Sequence, residues 1–215
     1  MSSEIEIYGD SISGNCYKLK LACAQLAIDY TWHEVDIMAG ETRTEEYLAM
    51  NPNGRVPLLA LTDGRYLSES NAILCYLAHG SDLAGRDRFE KANVLRWMFF
   101  EQYSHEPYIA TSRFIIKYLG RPEEREGDLE SRKGGGYMAL DVMERELTDH
   151  DFMANDTYSL ADIALYAYTH VAGEGGFDLS GYPRINAWLE RVESQPGFVP
   201  MSKNPPRSGR SDRHQ

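Results

Sequence analysis

The stretch "SISGNCYKLKL", residues 11–21, sets a hydroxyl, an amide and a thiol within four positions, at Ser13, Asn15 and Cys16, where a helix begins. The first turn of a helix carries unpaired N–H groups and the positive end of the peptide dipoles, so it favours an anion. The chemistry that fits is thiol chemistry, yet Cys16 sits one turn late for an attacking cysteine. Single cysteines in amphipathic helices are most often small buried hydrophobes. A second anion site is written in "SESNAI", residues 68–73, where Glu69 and Ser70 precede an amphipathic helix. Free N–H groups and a hydroxyl there suit a carboxylate.

Two further stretches carry candidates. "NGRVPLL", residues 53–59, holds Asn53, Arg55, Val56 and Pro57 at the start of a strand. "VLRWMFFEQYSHEPYIATSRF", residues 94–114, is an aromatic helical stripe that is mostly core. The polar residues within it, Glu101, Gln102, Tyr103, His105 and Arg113, are candidates for a pocket wall or for a contact between two copies. His105 lies beside Pro107, where the helix is expected to bend.

The elements that must position these residues follow from periodicity. "EIEIY" reads as a strand, residues 13–27 as a helix with Leu19, Ala22, Cys23 and Leu26 on one face, and "YTWHEV" as a second strand. A short helix around 44–49 precedes "RVPLLAL" and "RYLS", which the turn "TDGR" joins as a hairpin. Ile73, Tyr76 and Leu77 mark one more helix. This order predicts a small mixed sheet with helices on both sides. Periodicity breaks at "AHGSDLAGRD", so residues 1–79 form one domain, 80–86 a linker, 87–201 an all-helical domain and 202–215 a polar tail.

In the helical part, long helices are expected over 87–118 and about 124–149, with Pro122 in a first turn. "GGG" at 134–136 costs about 1 kcal/mol per glycine relative to alanine, which predicts a kink or a break. "SLADIAL" is a capping box, Ser159 with Asp162, opening a buried helix. Ile185, Trp188, Leu189 and Val192 mark the last one.

Composition excludes several classes. A net charge of −11 over 215 residues argues against a nucleic-acid partner, which needs clustered Lys and Arg. No apolar run approaches a membrane span, and no basic start leads into an apolar segment, so a cytoplasmic protein is expected. Cys16, Cys23 and Cys75 form no CxxC or Cys/His cluster, which supports neither a disulfide scaffold nor a metal.

An α/β N-terminal half joined to an all-α half, with "NGRVPLL", "LSESNAILCYL" and "SLADIAL" in these places, resembles the cytosolic glutathione transferase superfamily from Ile5 to about Phe198. The resemblance implies a thioredoxin-like first domain and glutathione as co-substrate. It implies a cis bond before Pro57 that bares the Val56 peptide to the cysteinyl backbone of glutathione. Glu69 and Ser70 would take the γ-glutamyl end, with Arg55 as a weaker contact. Ser13 falls where thioredoxin-like proteins carry the attacking cysteine, and Cys16 where they carry the second.

A serine-type member would use Ser13 to donate to the glutathione sulfur, with Asn15 assisting or substituting, as in disulfide-reducing bacterial members. Tyr8 ranks below Ser13, being far from the helix start, and a glutaredoxin-like role through Cys16 stays open. Tyr103, His105 and Arg113 would line the second-substrate pocket. The resemblance implies a homodimer acting on a small electrophile or a disulfide. A non-enzymatic adaptor on the same fold is the alternative of another class.

Overall fold

The computed structural model of the chain describes residues 5–202. Strand β1 (Ile5–Gly9) alternates as its sequence does, burying Ile5 and Ile7 and exposing Glu6. It pairs in parallel with β2 (Thr31–Glu34) and antiparallel with β3 (Leu58–Leu61), which pairs with β4 (Tyr66–Ser68). The four-stranded order is β2-β1-β3-β4. Gly64, at φ +83°, takes the left-handed position that the β3–β4 turn requires, and Leu61 N–H donates to Arg65 C=O at 2.9 Å to close it.

Helix α1 (Gly14–Gln25) crosses between β1 and β2 and is buried almost all round, not along one stripe. It packs against α3 (Ser70–Leu77) and against α7 (Leu160–Thr169) of the helical half, so even Lys18 is fully buried. The other face of the sheet is covered by α2 (Glu45–Met50), whose Tyr47 packs with Val35 and Leu58. Thr44 caps α2 by accepting from Tyr47 N–H at 3.2 Å.

Residues 88–118 form one continuous rod, α4 (Arg88–Phe100) and α5 (Glu106–Arg113), with a π turn after each, at 101–105 and 114–118. Pro107, which has no N–H to give, sits in the first turn of α5, directly after the first π turn. The capping box opens α7 as expected: Ser159 N–H donates to Asp162 at 2.9 Å and Ala161 N–H to Ser159 Oγ at 3.3 Å. Asp162 also accepts from Met153 N–H and from the indole of Trp188 on α8 (Pro183–Glu193). One apolar cluster runs from Ile7 and Leu19 through Ile163 and Leu165 to Trp188, so the two halves share a core. Among the described residues no helix is long and apolar enough to cross a membrane. The expected tail lies outside the described residues from Lys203 onward.

No break occurs at "GGG": α6 (Glu126–Glu146) continues through it as one helix. The glycines serve close packing. A Cβ on Gly135 would lie 2.3 Å from the Tyr108 ring, and one on Gly136 2.3 Å from Phe177, whereas Gly134 faces open space. Gly134→Ala should therefore stabilise the protein by about 0.5–1 kcal/mol through helix propensity. Gly136→Ala should lose about 1–2 kcal/mol net, because overpacking outweighs that gain. Urea unfolding of the two variants reads both signs.

Candidate active site

A cleft of about 780 Å³ separates the two halves. The sheet half lines it with Ser13 and Asn15 from the start of α1, with Arg55, Val56 and Pro57 before β3, and with Glu69 and Ser70 before and at the start of α3. The helical half adds Gln102, Glu106, Arg113, Tyr118 and Tyr168. The topology thus brings the three sequence-predicted glutathione-site stretches onto one wall.

Ser13 is the N-cap of α1, extended at φ −76°, ψ 129°, and its hydroxyl makes no capping bond. Asn15 is fixed through both ends of its amide: its Oδ1 accepts from Ser70 Oγ at 3.1 Å and its Nδ2 donates to Glu106 at 2.9 Å. Ser70 in turn accepts from Lys18 Nζ at 3.3 Å, so its hydroxyl faces inward and is engaged. Lys18 pairs with Glu101 at 3.0 Å, both side chains wholly buried. Gln102 closes the circuit by donating to Glu101 and to Glu106. Six side chains, three from each half, make one hydrogen-bonded ring beside the cleft.

The Val56–Pro57 bond is cis, and the Val56 peptide N–H and C=O have no hydrogen-bond partner among the described residues. The loop before them is pinned because the Arg55 carbonyl accepts from Tyr47 Oη at 2.9 Å and Asn51 Nδ2 at 2.8 Å. The Arg55 side chain is exposed on the cleft wall beside Asn53 and Arg43. Glu69 sits at φ 70° just before α3, a left-handed conformation uncommon outside glycine.

The remaining candidates divide. Arg113 is buried at the cleft, held by Glu174 at 2.7 Å and by the carbonyl of Ile12 at 2.9 Å. Tyr103 and His105 do not line the cleft. Tyr103 is 85% exposed on the outer surface, and His105 is wholly buried with Nε2 on Thr169 Oγ1 at 2.9 Å. Glu101, a candidate for the pocket wall, lies inside the ring instead. Burial, with the Lys18 ammonium adding to it, pushes the His105 imidazole down to about 3, so it stays neutral and has no acid–base reach into the cleft.

Tyr8 is no rival to Ser13. It stacks on His33 at 4.4 Å and donates to Glu6, away from the cleft. Cys16 faces the sheet: a Cβ on Gly9 would lie 2.9 Å from its sulfur. Burial pushes its thiol up to about 12, against the opposing effect of the Ser13 hydroxyl. Such a thiol is not ionised near neutral pH.

Sequence reasoning missed Lys18, Glu106, Tyr118 and Tyr168. A lysine within the apolar face of α1 was a signal for Lys18; the others depend on contacts between distant segments. Among the described residues no group of three His, Cys, Asp or Glu is placed to hold a metal.

Residues 12–79 match the glutathione S-transferase N-terminal domain and residues 96–196 the glutathione S-transferase C-terminal domain. The chain is 33% identical over 180 residues to glutathione S-transferase F10 of Arabidopsis thaliana, covering 78% of this chain and 82% of that one. The chain belongs to the glutathione S-transferase family. It is also 26% identical over 189 residues to the disulfide-bond oxidoreductase YfcG of Escherichia coli K12, covering 85% and 87%. A solved glutathione S-transferase from Pseudomonas fluorescens Pf-5 matches at a TM-score of 0.91 and 55% identity, over 93% of this chain and 99% of that one.

In this glutathione S-transferase the buried ring sets two expectations. Lys18→Met, which strands Glu101, should cost about 3–5 kcal/mol of stability, and Lys18→Met with Glu101→Leu should recover most of it. Chemical denaturation in a double-mutant cycle measures both. His105 binds a proton in the unfolded chain below about pH 6.5 but in the folded one only near 3, so stability is lost as pH falls. The slope from this residue is about 1.4 kcal/mol per pH unit between about pH 6 and 4. His105→Gln should flatten that slope in unfolding curves taken across the window.

Proposed function

We propose that this chain is a glutathione transferase that binds glutathione along the sheet wall of the cleft and activates its thiol at the start of α1. The observation that carries the reading is the unpaired Val56 peptide facing a cleft whose same wall holds the N-termini of α1 and α3. An extended cysteinyl backbone would complete the hydrogen bonds of Val56, as an added strand does. The γ-glutamyl carboxylate would meet the free N–H groups at Glu69 and Ser70, and Arg55 the glycyl carboxylate.

The sulfur then falls beside Ser13. A thiol of pKa near 8.5 is only about 3% ionised at pH 7, and lowering that value by about two units takes about 2.7 kcal/mol of preference for the thiolate. A hydroxyl donor and a helix terminus together are of that size. The proton leaves to solvent. The thiolate attacks an electrophilic carbon of the second substrate, a C–S bond forms, and the leaving group departs with the bonding electrons. Arg113 would line the second-substrate side.

A second reading, glutathione-dependent disulfide reduction, is favoured by the likeness to YfcG. There the bound thiolate attacks one sulfur of a small disulfide and expels the other as a thiolate. A second glutathione then resolves the mixed disulfide, releasing oxidised glutathione. Neither reading needs a protein thiol, consistent with the burial of Cys16.

The working form we propose is a cytoplasmic homodimer. Leu95, Phe99 and Tyr103 make an exposed stripe along the rod, and Met138 and Val142 add apolar surface on α6. Three free cysteines, Cys16 and Cys23 buried and Cys75 partly so, suit a reducing compartment.

Calorimetric titration with reduced and oxidised glutathione tests binding, and absence of binding up to millimolar ligand would favour the adaptor. Ser70→Ala, which removes the hydroxyl that holds Asn15 and Lys18 in the ring and so loosens the α3 end of the wall, should weaken glutathione binding about tenfold. Ser13→Ala should lower kcat about 10- to 100-fold with little change in affinity, and Cys16→Ala should keep most of the turnover. Equal losses of kcat and affinity in Ser13→Ala would assign Ser13 to binding, and an inactive Cys16→Ala would replace the mechanism with protein-thiol catalysis.

A further inference from the structure

Tyr168 lies on α7, 153 residues from Asn15, yet its hydroxyl meets the first turn of α1: Asn15 N–H donates to Tyr168 Oη at 3.3 Å. The approach is built in. Gly14 has no side chain where a Cβ would lie 2.6 Å from the Tyr168 ring, so the residue between Ser13 and Asn15 is shaped to admit this phenol. The side chain lines the cleft while the residue as a whole is only 7% exposed.

A phenol both accepts and donates. Tyr168 accepts from Asn15, and no described residue takes its own hydrogen. Burial holds the phenol above its ordinary range, with Glu106 adding to the effect, so it remains a protonated donor throughout the neutral range.

We propose that Tyr168, presented by the helical half, donates a hydrogen bond to the sulfur of bound glutathione and shares stabilisation of the thiolate with Ser13. This rests on the glutathione reading above. The anion would then be held from two sides, by a hydroxyl of the sheet half and a phenol of the helical half, at the positive end of α1. Tyr168 is thus a catalytic residue, whereas Gly14 is a positioning one.

The test uses the full chain. Thiolate absorbance of bound glutathione is titrated against pH for the wild type and for Tyr168→Phe, which keeps the ring on Gly14, while calorimetry follows affinity for glutathione. The expected result for Tyr168→Phe is a titration midpoint about one pH unit higher, a tenfold loss of thiolate below it, with affinity at a pH where the thiol is protonated changed less than about threefold. An unchanged midpoint with glutathione still bound would overturn the inference and leave the proposed function standing. A wild type that binds no glutathione would overturn both. Should Tyr168→Phe fold poorly, 3-fluorotyrosine at position 168 provides a stronger donor of nearly the same shape. A lower midpoint supports the inference and an unmoved one sinks it.

Discussion

The buried pair of Lys18 and Glu101 is the constraint on which the junction depends. Neither charge reaches solvent, and the pair joins the helix of the sheet half to the rod of the helical half. A charge removed from water is tolerated only with a partner and with hydrogen bonds around it. Lys18 meets that condition with Ser70 and Asn71, and Glu101 meets it through one oxygen, Oε2, which accepts from Lys18, Asn71 and Gln102, while its buried Oε1 has no hydrogen-bond partner among the described residues. The two halves are therefore held in register by a requirement of solvation as well as by the shared apolar core. Because the same ring contains Asn15 and Ser70, the orientation of two cleft residues follows from burying one lysine.

The π turn explains how one segment serves both the ring and the cleft. In a regular α-helix Glu101 and Glu106, five residues apart, would point in well-separated directions. The wider turn, with its i to i+5 bonding, brings Glu106 back toward the face of Glu101. Both carboxylates then reach α1 or its partners: Glu101 takes Lys18 in the interior, and Glu106 takes Asn15 at the cleft. His105, in the same turn, is carried inward to Thr169. Charge is distributed accordingly. An acidic chain sets Arg43, Arg55 and Arg113 against Glu69 and Glu106 around the cleft, which suits a ligand bearing both carboxylates and an ammonium.

The parts legible in sequence are those whose causes are local. Alternation in "EIEIY", the Asp-Gly turn and the Ser159–Asp162 box each act within a few residues, and the elements form where those signals stand. Grouping Ser13, Val56, Pro57, Glu69 and Ser70 required the family resemblance as well, because strand order rather than spacing brings them to one wall. The misreadings have non-local causes. Glycines at 134–136 look like helix breakers until the rings of Tyr108 and Phe177 are known to rest on them. The π turn changes which residues share a face only beyond Glu101: continued from Val94 and Met98, a regular helix already turns His105 inward and Tyr103 outward, whereas Glu106 comes back toward the face of Glu101 only through the wider turn. Tyr168 met Asn15 only through the packing of α7 on α1.

The same packing decides which group at the start of α1 is open to chemistry. Cys16 occupies the first turn, where a thiolate gains most from the helix dipole, but its sulfur is directed at Gly9 on β1 with the Trp32 ring alongside. Desolvation there exceeds what the dipole and the Ser13 hydroxyl return, and the thiol stays protonated. Ser13, one turn earlier, stands at the cleft with the Asn15 amide and the Tyr168 phenol around it. A helix terminus stabilises whatever anion can reach it, and here the protein has sealed its own sulfur behind the strand. What the geometry leaves accessible at the cleft end of α1 is the Ser13 hydroxyl, and the role we propose for that place is to hold a sulfur brought by another molecule.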